Sequence, residues 1–305
     1  MFEQLATPRV RAWALASAPG VFVFIWSTGW IAARAAVIDS DPVTFLALRL
    51  ALACVVFAVL VLAVRARWPR RPIDVAHAMI SGVLLHALYL GGVWWAVGQG
   101  LPAGVSAVIA AAQPIMTAML APVLIAERIN ARQWAGIALG FVGIVIVLLP
   151  RLLTAAGADF TQLQLALLVN FAAMVSVTLG SFYQKRFIST GDLRTTAMLQ
   201  YAGAAPVLVA AAWWLEPMRL TVSWTSVATM AWSVIALSLG AILLYLWLIR
   251  EGAVSKSASL IYLVPAVAAI QAWALFGEQL TPVQIGGIVV TVAGVALATR
   301  TFARG

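Results

Sequence analysis

Few side chains of this chain could bind a polar solute or carry a proton, and the clearest lie inside long apolar stretches. Arg49 is the one cation well inside such a stretch, where a charge costs about 2.5–3.5 kcal/mol on insertion scales. It could bind a solute carboxylate or form a structural ion pair with Asp39 or Asp41. His86 and Tyr89 lie three residues apart, so a regular α-helix places them on one face. Because imidazole titrates near neutral pH, His86 could bind a solute, carry a proton or make an interhelical hydrogen bond.

Aromatic and amide side chains at similar depth could form the wall of a cavity. Most of the 13 tryptophans are near the ends of apolar stretches, which is typical of interface anchors. An aromatic wall with a few polar groups suits a small amphipathic solute, whereas a phosphorylated sugar would need several buried Lys or Arg. The side chains that we predict to line a substrate cavity are Trp26, Arg49, His86, Tyr89, Gln113, Asn170, Tyr245, Tyr262 and Gln271.

Two prolines and two glutamates are the candidates for controlling access to that cavity. Pro114 and Pro265 lie inside apolar stretches, where proline removes a backbone hydrogen bond and kinks a helix. We predict a pair of hinges, the alternative being a static kink. Glu127 and Glu278 end the same stretches and are predicted to make structural or gate contacts. Since no Asp or Glu lies mid-stretch, a carboxylate proton relay is disfavoured, which leaves coupling through His86 or facilitated diffusion.

These positions are related because the second half of the chain repeats the first. The offset is constant at 151 residues, far longer than a solenoid unit. Arg49 corresponds to Gln200 in this register, which keeps a polar group without the charge. The matching pairs include Pro114 and Pro265, Glu127 and Glu278, Gln133 and Gln284, Gly136 and Gly287, and Gly143 and Gly294.

The composition shows what kind of element must position these residues. The chain is 64% hydrophobic and 10% charged, unlike a soluble domain. Apolar stretches of about 20 residues span a bilayer as helices, because irregular backbone cannot face lipid. We therefore predict an all-α polytopic membrane protein with ten transmembrane helices. The predicted spans are 13–34, 43–64, 75–97, 103–125, 132–150, 162–183, 194–215, 226–249, 255–276 and 282–301.

The net charge of +9 is a topology signal rather than a sign of nucleic-acid binding. With a cytoplasmic N-terminus (residues 1–12), every Lys and Arg between spans falls inside except Arg34, Arg151 and Arg219. Both termini are then cytoplasmic. Five spans per repeat is an odd number, so repeat 2 (162–302) inserts upside down relative to repeat 1 (13–150). Two inverted five-helix repeats around a central cavity are typical of secondary transporters that work by alternating access.

Other classes of function lack their residues. Cys54 is the only cysteine, which excludes a disulfide framework and a cysteine metal site. Gly104-Val105-Ser106 lacks the final glycine of an intramembrane serine protease motif, and paired aspartates at depth are absent. No glycine-rich phosphate loop or His/Glu cluster occurs. We expect no enzyme, no cofactor and no metal, and a solute channel stays an alternative because pores are also built from repeats.

The repeat also resembles a known family. The stretch 127–144, with its copy at 278–295, is similar to the EamA repeat of the drug/metabolite transporter superfamily, and Trp26, Arg49 and Pro114 lie where EamA proteins often carry these residues. The resemblance implies ten helices around a cavity, without an ATPase domain, in the bacterial inner membrane. Within the family the chain looks most like exporters of aromatic amino acids.

From the residues and the resemblance together we predict a secondary transporter, exporter or facilitator, of small amphipathic metabolites. Aromatic and other neutral amino acids are the first choice of substrate. The alternatives are a proton-coupled exporter of cationic drugs and a solute channel. The expected partners are the lipid bilayer and a small-molecule substrate, with no nucleic acid. Gly136 and Gly140 form a small-xxx-small pattern, for which helix packing inside a monomer is favoured over a homodimer interface.

Overall fold

The computed structural model describes residues 8–125, 130–154, 158–188, 191–244 and 263–299. Apart from an isolated bridge between Ser40 and Leu220, every regular element of these residues is helical. The elements are α1 (Pro8–Asp39), α2 (Pro42–Ala63), α3 (Pro72–Gly98), α4 in two segments (Ala103–Ala110 and Ala112–Ile125), α5 (Ala131–Thr154), α6 (Ala158–Phe187), α7 (Leu193–Leu215), α8 (Trp224–Leu244), α9 (Val264–Phe276) and α10 (Pro282–Thr299).

The prediction of an all-helical polytopic membrane protein is confirmed. In the described part of the chain, 7 helices are long and apolar enough to cross a membrane, namely α1, α2, α3, α5, α6, α7 and α8. The apolar helices α4, α9 and α10 are shorter there. Large apolar side chains such as Leu62, Leu168 and Val289 point away from the core, as lipid-facing residues do. The number of ten spans stays a prediction.

Local sequence explains where several helices begin and end. Pro42 and Pro72 occupy the first positions of α2 and α3, where the missing N–H has no intrahelical partner to lose. The Asp192 carboxylate caps α7 by accepting from the backbone N–H of Arg194. After α9, Gly277 adopts a left-handed conformation with φ 66°, which closes a helix at little steric cost.

Three helices depart from regular α geometry. The helix α4 is interrupted at Ala111, which follows from Pro114, because its ring lacks an N–H and clashes with the carbonyl four residues earlier. α3 and α8 contain π-helical segments at Val83–Leu88 and Ser233–Gly240. At the 151-residue offset Val83 corresponds to Val234, so the two π segments nearly coincide. Sequence analysis did not predict them.

Glycines bring the helices α5 and α10 into backbone contact. A Cβ atom at Gly143 would overlap the backbone of Thr291, and one at Gly294 would overlap the backbone of Gly140. Small residues let two helices approach to backbone contact. The predicted small-residue pattern therefore packs α5 against α10 within one molecule. α2 likewise packs on α7, and α4 on α9.

Candidate functional site

A cavity of about 110 Å³ lies between the helices α1, α3, α4, α6, α9 and α10. Its wall is aromatic on the side of α1 and α3 and otherwise mostly small or aliphatic. A glutamine amide supplies the polar group on α4. The lining residues are Trp26, Trp30, Tyr89, Ala107, Ala110, Ala111, Gln113, Met174, Val177, Val264, Pro265, Val292 and Val295.

Three of the predicted cavity residues, Trp26, Tyr89 and Gln113, line this space together. Trp30 also lines it, and sequence reasoning missed this residue. The spacing held the signal, because residues four apart lie on the same face of an α-helix, and Trp30 follows Trp26 by four positions. The buried indole N–H of Trp30 has no hydrogen-bond partner among the described residues. It is a donor available to a solute.

Arg49 does not line this cavity. Its guanidinium is buried between helices, donates a hydrogen bond of 3.4 Å to the Ser238 hydroxyl and lies 5.7 Å from the ring centre of Trp94. The ion pair considered for it with Asp39 or Asp41 is not formed. Those carboxylates bind Arg219 and Ser223 of the α7–α8 loop instead.

The α1–α2 loop is joined to the α7–α8 loop by carboxylates at one end of the molecule. Asp41 pairs with the Arg219 guanidinium at 3.1 Å and accepts its backbone N–H at 2.7 Å. Asp39 accepts from the Ser223 hydroxyl. Glu216 accepts the backbone N–H groups of Val43 and Thr44, at 2.9 and 2.8 Å, and so caps α2 from another helix. The sequence carried no signal for this pairing.

Glu278 makes the corresponding contact for α4. Its carboxylate accepts the backbone N–H groups of Ala103 and Gly104, at 3.2 and 3.3 Å, and lies 3.7 Å from the Arg34 guanidinium. We call Asp41, Glu216, Arg219 and Glu278 the carboxylate network. Glu127, predicted as the equivalent of Glu278, lies outside the described residues.

His86 and Tyr89 do not share one face, because His86 lies in the π segment Val83–Leu88 and Tyr89 follows it. His86 stacks on Tyr201 of α7, with ring centres 4.8 Å apart. Its buried Nε2 atom has no hydrogen-bond partner in the described part of the chain. Tyr89 faces the cavity, so the structure separates two residues that the sequence had paired.

The two remaining amides connect helices rather than line the cavity. Asn170 of α6 donates to the Ser106 hydroxyl of α4 at 2.7 Å, and Gln271 of α9 donates to the carbonyl of Phe24 in α1 at 3.3 Å. Tyr245 and Tyr262 lie outside the described residues. Of the prolines predicted as hinges, Pro265 lines the cavity in the first turn of α9, and α4 breaks before Pro114.

The opposite end of the molecule holds a larger, basic cavity of about 1710 Å³. Two of its arginines are paired with acids, Arg71 with Asp74 at 2.8 Å and Arg194 with Asp192 at 2.5 Å. The Arg194 guanidinium, through its hydrogen bonds, holds the pKa of Asp192 below its ordinary value. The arginines that line this basic cavity are Arg65, Arg67, Arg70, Arg71, Arg186 and Arg194.

Within the described residues, no group of three or more His, Cys, Asp or Glu side chains could hold a metal ion. Together, the described residues form a small aromatic cavity between helices of both halves, with the carboxylate network at one end of the molecule and basic residues at the other. Such a site can hold and orient a small solute.

The chain is similar to known membrane transporters. The family model described as the EamA-like transporter family matches residues 20–149 and 164–300. The chain is 24% identical to the uncharacterized transporter YvbV of Bacillus subtilis (strain 168), over 90% of this chain and 88% of that protein. It is 25% identical to the uncharacterized inner membrane transporter YedA of Escherichia coli (strain K12), over 90% and 87%.

One further relative is named for its solutes. A Salmonella typhimurium (strain LT2) protein named "Probable amino-acid metabolite efflux pump" is 25% identical over 65% of this chain and 68% of its own length. A solved crystal structure superposes with a TM-score of 0.65 at 18% identity, covering 94% of this chain and 97% of that one. The structural likeness concerns the fold alone.

Proposed function

Because the chain belongs to the EamA-like transporter family, we propose that it is a secondary transporter that exports small amphipathic metabolites. Aromatic and other neutral amino acids are the proposed substrates. The observation that carries the proposal is the cavity wall of Trp26, Trp30 and Tyr89 beside the Gln113 amide. Aromatic faces bind an apolar side chain, while the amide and the free indole N–H orient polar groups. The efflux relative of Salmonella typhimurium supports the same class of solute.

The proposed mechanism is alternating access between two inverted five-helix repeats, which together make ten spans. Three features support this architecture: the 151-residue offset, the π segments at corresponding places in α3 and α8, and the packing of α2 on α7 and α5 on α10. Each paired helix then comes from a different repeat. The cavity draws its lining from both halves, so relative rotation of the halves exposes it first to one side and then to the other.

The size of the cavity indicates which stage of the cycle the structure represents. An apolar cavity of about 150 Å³ binds benzene, and this one measures about 110 Å³. An aromatic amino acid therefore does not fit until the helices around the cavity separate. We propose that the carboxylate network holds its end closed in this state and that Pro114 and Pro265 serve as the hinges. In the proposed orientation the opposite, basic end and both termini lie in the cytoplasm of a bacterium, which the positive-inside rule supports.

The experiment that tests the function is counterflow in proteoliposomes. Vesicles containing the protein are loaded with unlabelled phenylalanine and diluted into labelled phenylalanine, with and without an imposed pH gradient. Saturable transient accumulation without the gradient is the expected result for a carrier. Linear, non-saturating uptake would indicate a channel, and absence of uptake in both conditions would exclude phenylalanine. A lipophilic cation tested in parallel covers the drug-exporter alternative.

A further inference from the structure

Arg49 is a buried cation without a carboxylate partner in the described part of the chain. The residue is 5% exposed, yet no Asp or Glu described lies within ion-pair distance of it. Among the described residues, its guanidinium makes a single long hydrogen bond, 3.4 Å to Ser238, and its Nε atom has no partner. The Trp94 ring lies 5.7 Å away and offsets part of the charge. A buried ion with so few contacts is costly unless something else pairs with it.

A second unpartnered group lies on the helix that faces it. Ser233 is fully buried and its hydroxyl has no hydrogen-bond partner among the described residues. It lies one π turn before Ser238, the serine that contacts Arg49, and both belong to the π segment Ser233–Gly240. This segment packs on α2. Within the described chain, the guanidinium Nε and the Ser233 hydroxyl are thus unpaired donors from two adjacent helices, and the Ser238 hydroxyl beside them is also hydrogen-bonded to Tyr201 of α7.

The corresponding place in the other half shows what a satisfied site looks like. Gln200 replaces the arginine there, and its amide donates to the Ser81 hydroxyl at 2.9 Å and to the Gln184 side chain at 3.0 Å. A neutral amide is therefore paired within the protein at this position. In the pair Arg49 and Gln200, it is the charged Arg49 whose donors lack partners among the described residues.

The carboxylates around the start of α2, the helix that carries Arg49, already have other partners. Asp41 is bound to Arg219, Asp39 to Ser223, and Glu216 to the first backbone N–H groups of α2. Moving any of them to Arg49 would leave those donors unpaired, which costs about 1–3 kcal/mol each. None of these three carboxylates is therefore a good partner for the Arg49 guanidinium. A bound anion is a better one.

We propose that Arg49, Ser233 and Ser238 form a binding site for a small monovalent anion. The chemistry is that of a guanidinium fork with flanking hydroxyl donors, which suits a carboxylate or a chloride ion. The anion comes either from solution, as chloride, or from the transported solute, as its carboxylate. Only the second source rests on the proposed function. The site lies outside the aromatic cavity in this conformation, so a solute carboxylate reaches it when the helices rearrange.

Thermal unfolding of the detergent-purified full chain tests the site without requiring transport. Sodium gluconate, a carboxylate too bulky for a buried site between packed helices, is replaced stepwise by sodium chloride, or by sodium acetate as the small carboxylate probe, at constant ionic strength. We expect a saturable rise in melting temperature with at least one of these anions, because a ligand that binds only the folded state stabilises it. Arg49→Gln should abolish the rise. The matched control Gln200→Leu, at the equivalent position of the other half, should retain it.

A double variant keeps the test decisive if Arg49→Gln does not fold. Ser233→Ala with Ser238→Ala leaves the charge in place and removes two donors, so the anion concentration at half effect should increase about tenfold. The proposal is overturned if neither anion raises the melting temperature of the wild type. It is also overturned if the serine variant responds like the wild type.

Phenylalanine counterflow then distinguishes the two sources. If the carboxylate is the ligand, Arg49→Gln should reduce transport of phenylalanine more than that of phenylalaninamide. If chloride is the ligand, exchange of chloride for gluconate should change the transport of phenylalanine and of phenylalaninamide equally. A wild-type protein that shows the anion-dependent melting shift but no counterflow would remove the proposed substrate while leaving the anion site standing.

Discussion

At the scale of single residues, the cavity depends on where a few large aromatic side chains point. Trp26 and Trp30 are one helical turn apart on α1, and both line the same cavity as Tyr89 and Gln113. Trp26 also stacks on Phe22, with ring centres 5.4 Å apart, which holds its ring in place. A rigid aromatic wall binds a planar solute with little loss of side-chain entropy, because these side chains have few rotatable bonds.

We predict that Trp26→Ala weakens solute binding. Loss of an aromatic contact is worth about 0.5–1.5 kcal/mol beyond area burial, so the phenylalanine concentration at half-maximal counterflow should rise several-fold, up to about tenfold. Trp214→Ala is the matched control, since Trp214 is 85% exposed and far from the cavity lining. Equal effects of the two substitutions would contradict a role for Trp26 in the cavity.

The capping carboxylate of α7 leads to a prediction about pH. Arg194 lowers the pKa of Asp192 from its ordinary value of 3.8. A carboxyl with a lowered pKa in the folded state adds stability above its unfolded pKa, and this contribution disappears as pH falls through the folded value. Asp192→Asn keeps an effective cap and removes the charge. The wild type should therefore melt higher than the variant at pH 6, with the difference shrinking towards pH 3. A difference independent of pH would contradict this.

At the scale of helices, the packing relies on residues that allow backbones to touch and on side chains that cap a helix from a neighbour. Gly294 of α10 lies against the backbone of Gly140 in α5. Glu216 and Glu278 cap α2 and α4 from the ends of other helices. Carboxylates are favoured at these positions, because the N-terminus of a helix carries a partial positive charge. Contacts of this kind fix how the helices pack in lipid, where the hydrophobic effect does not drive helices together.

Substitutions at two glycines of α10 should have opposite outcomes. Gly294→Ala places a methyl group on the Gly140 backbone, which costs about 1–3 kcal/mol through overpacking. Gly286→Ala meets nothing within 4 Å and gains up to about 1 kcal/mol of helix propensity. Thermal unfolding in detergent should show a lower melting temperature for the first variant and an equal or higher one for the second. Equal melting temperatures in both variants would argue against the close α5–α10 crossing.

At the scale of the whole molecule, the two ends differ in the kind of contact they make. At one end the carboxylate network joins α2 to the α7–α8 loop and α4 to the end of α9. The other end contains the large basic cavity. If the network closes the outer side, its bonds must break in each cycle and reform afterwards. Each bond then contributes to the balance between closed and open states rather than to folding alone.

Removal of Glu278 should therefore open the outer end. Loss of a capping carboxylate costs about 0.5–2 kcal/mol, a several-fold shift towards the open state. The measurement is labelling of Ala110→Cys, a cavity position, by a membrane-impermeant maleimide on intact cells. Cys54→Ser supplies the background, because Cys54 is the only cysteine. Labelling should be several-fold faster in Glu278→Ala.

The control for this experiment is Gln162→Ala. Its side chain pairs with that of Gln99 at 3.1 Å in an exposed contact at the same end, but neither side chain caps the start of a helix. Labelling in this variant should match the background. Unchanged labelling in Glu278→Ala, with the protein correctly folded, would show that the carboxylate does not hold the outer end closed.

Much of the architecture could be predicted from the sequence, because it depends on local properties. Helices in a membrane follow from runs of apolar residues, and the predicted span 43–64 corresponds to α2, Pro42–Ala63. The repeat could be read from spacing alone. The regular geometry assumed for 75–97 failed at the π segment Val83–Leu88, since a single extra residue per turn leaves no mark on the hydrophobic pattern.

What the candidate site contains depended on contacts between residues far apart in sequence. Trp26, Tyr89 and Gln113 meet in the cavity, while the π segment turns His86 towards Tyr201. Tyr245, Tyr262 and Glu127 stay predictions. The sequence by itself thus determined the membrane class, the repeat and the pool of polar residues, because hydrophobicity and spacing act along the chain. Only the tertiary structure decided which of them share a cavity and which, like Arg49, lie apart from it, because small helix rotations and crossings set where each side chain points.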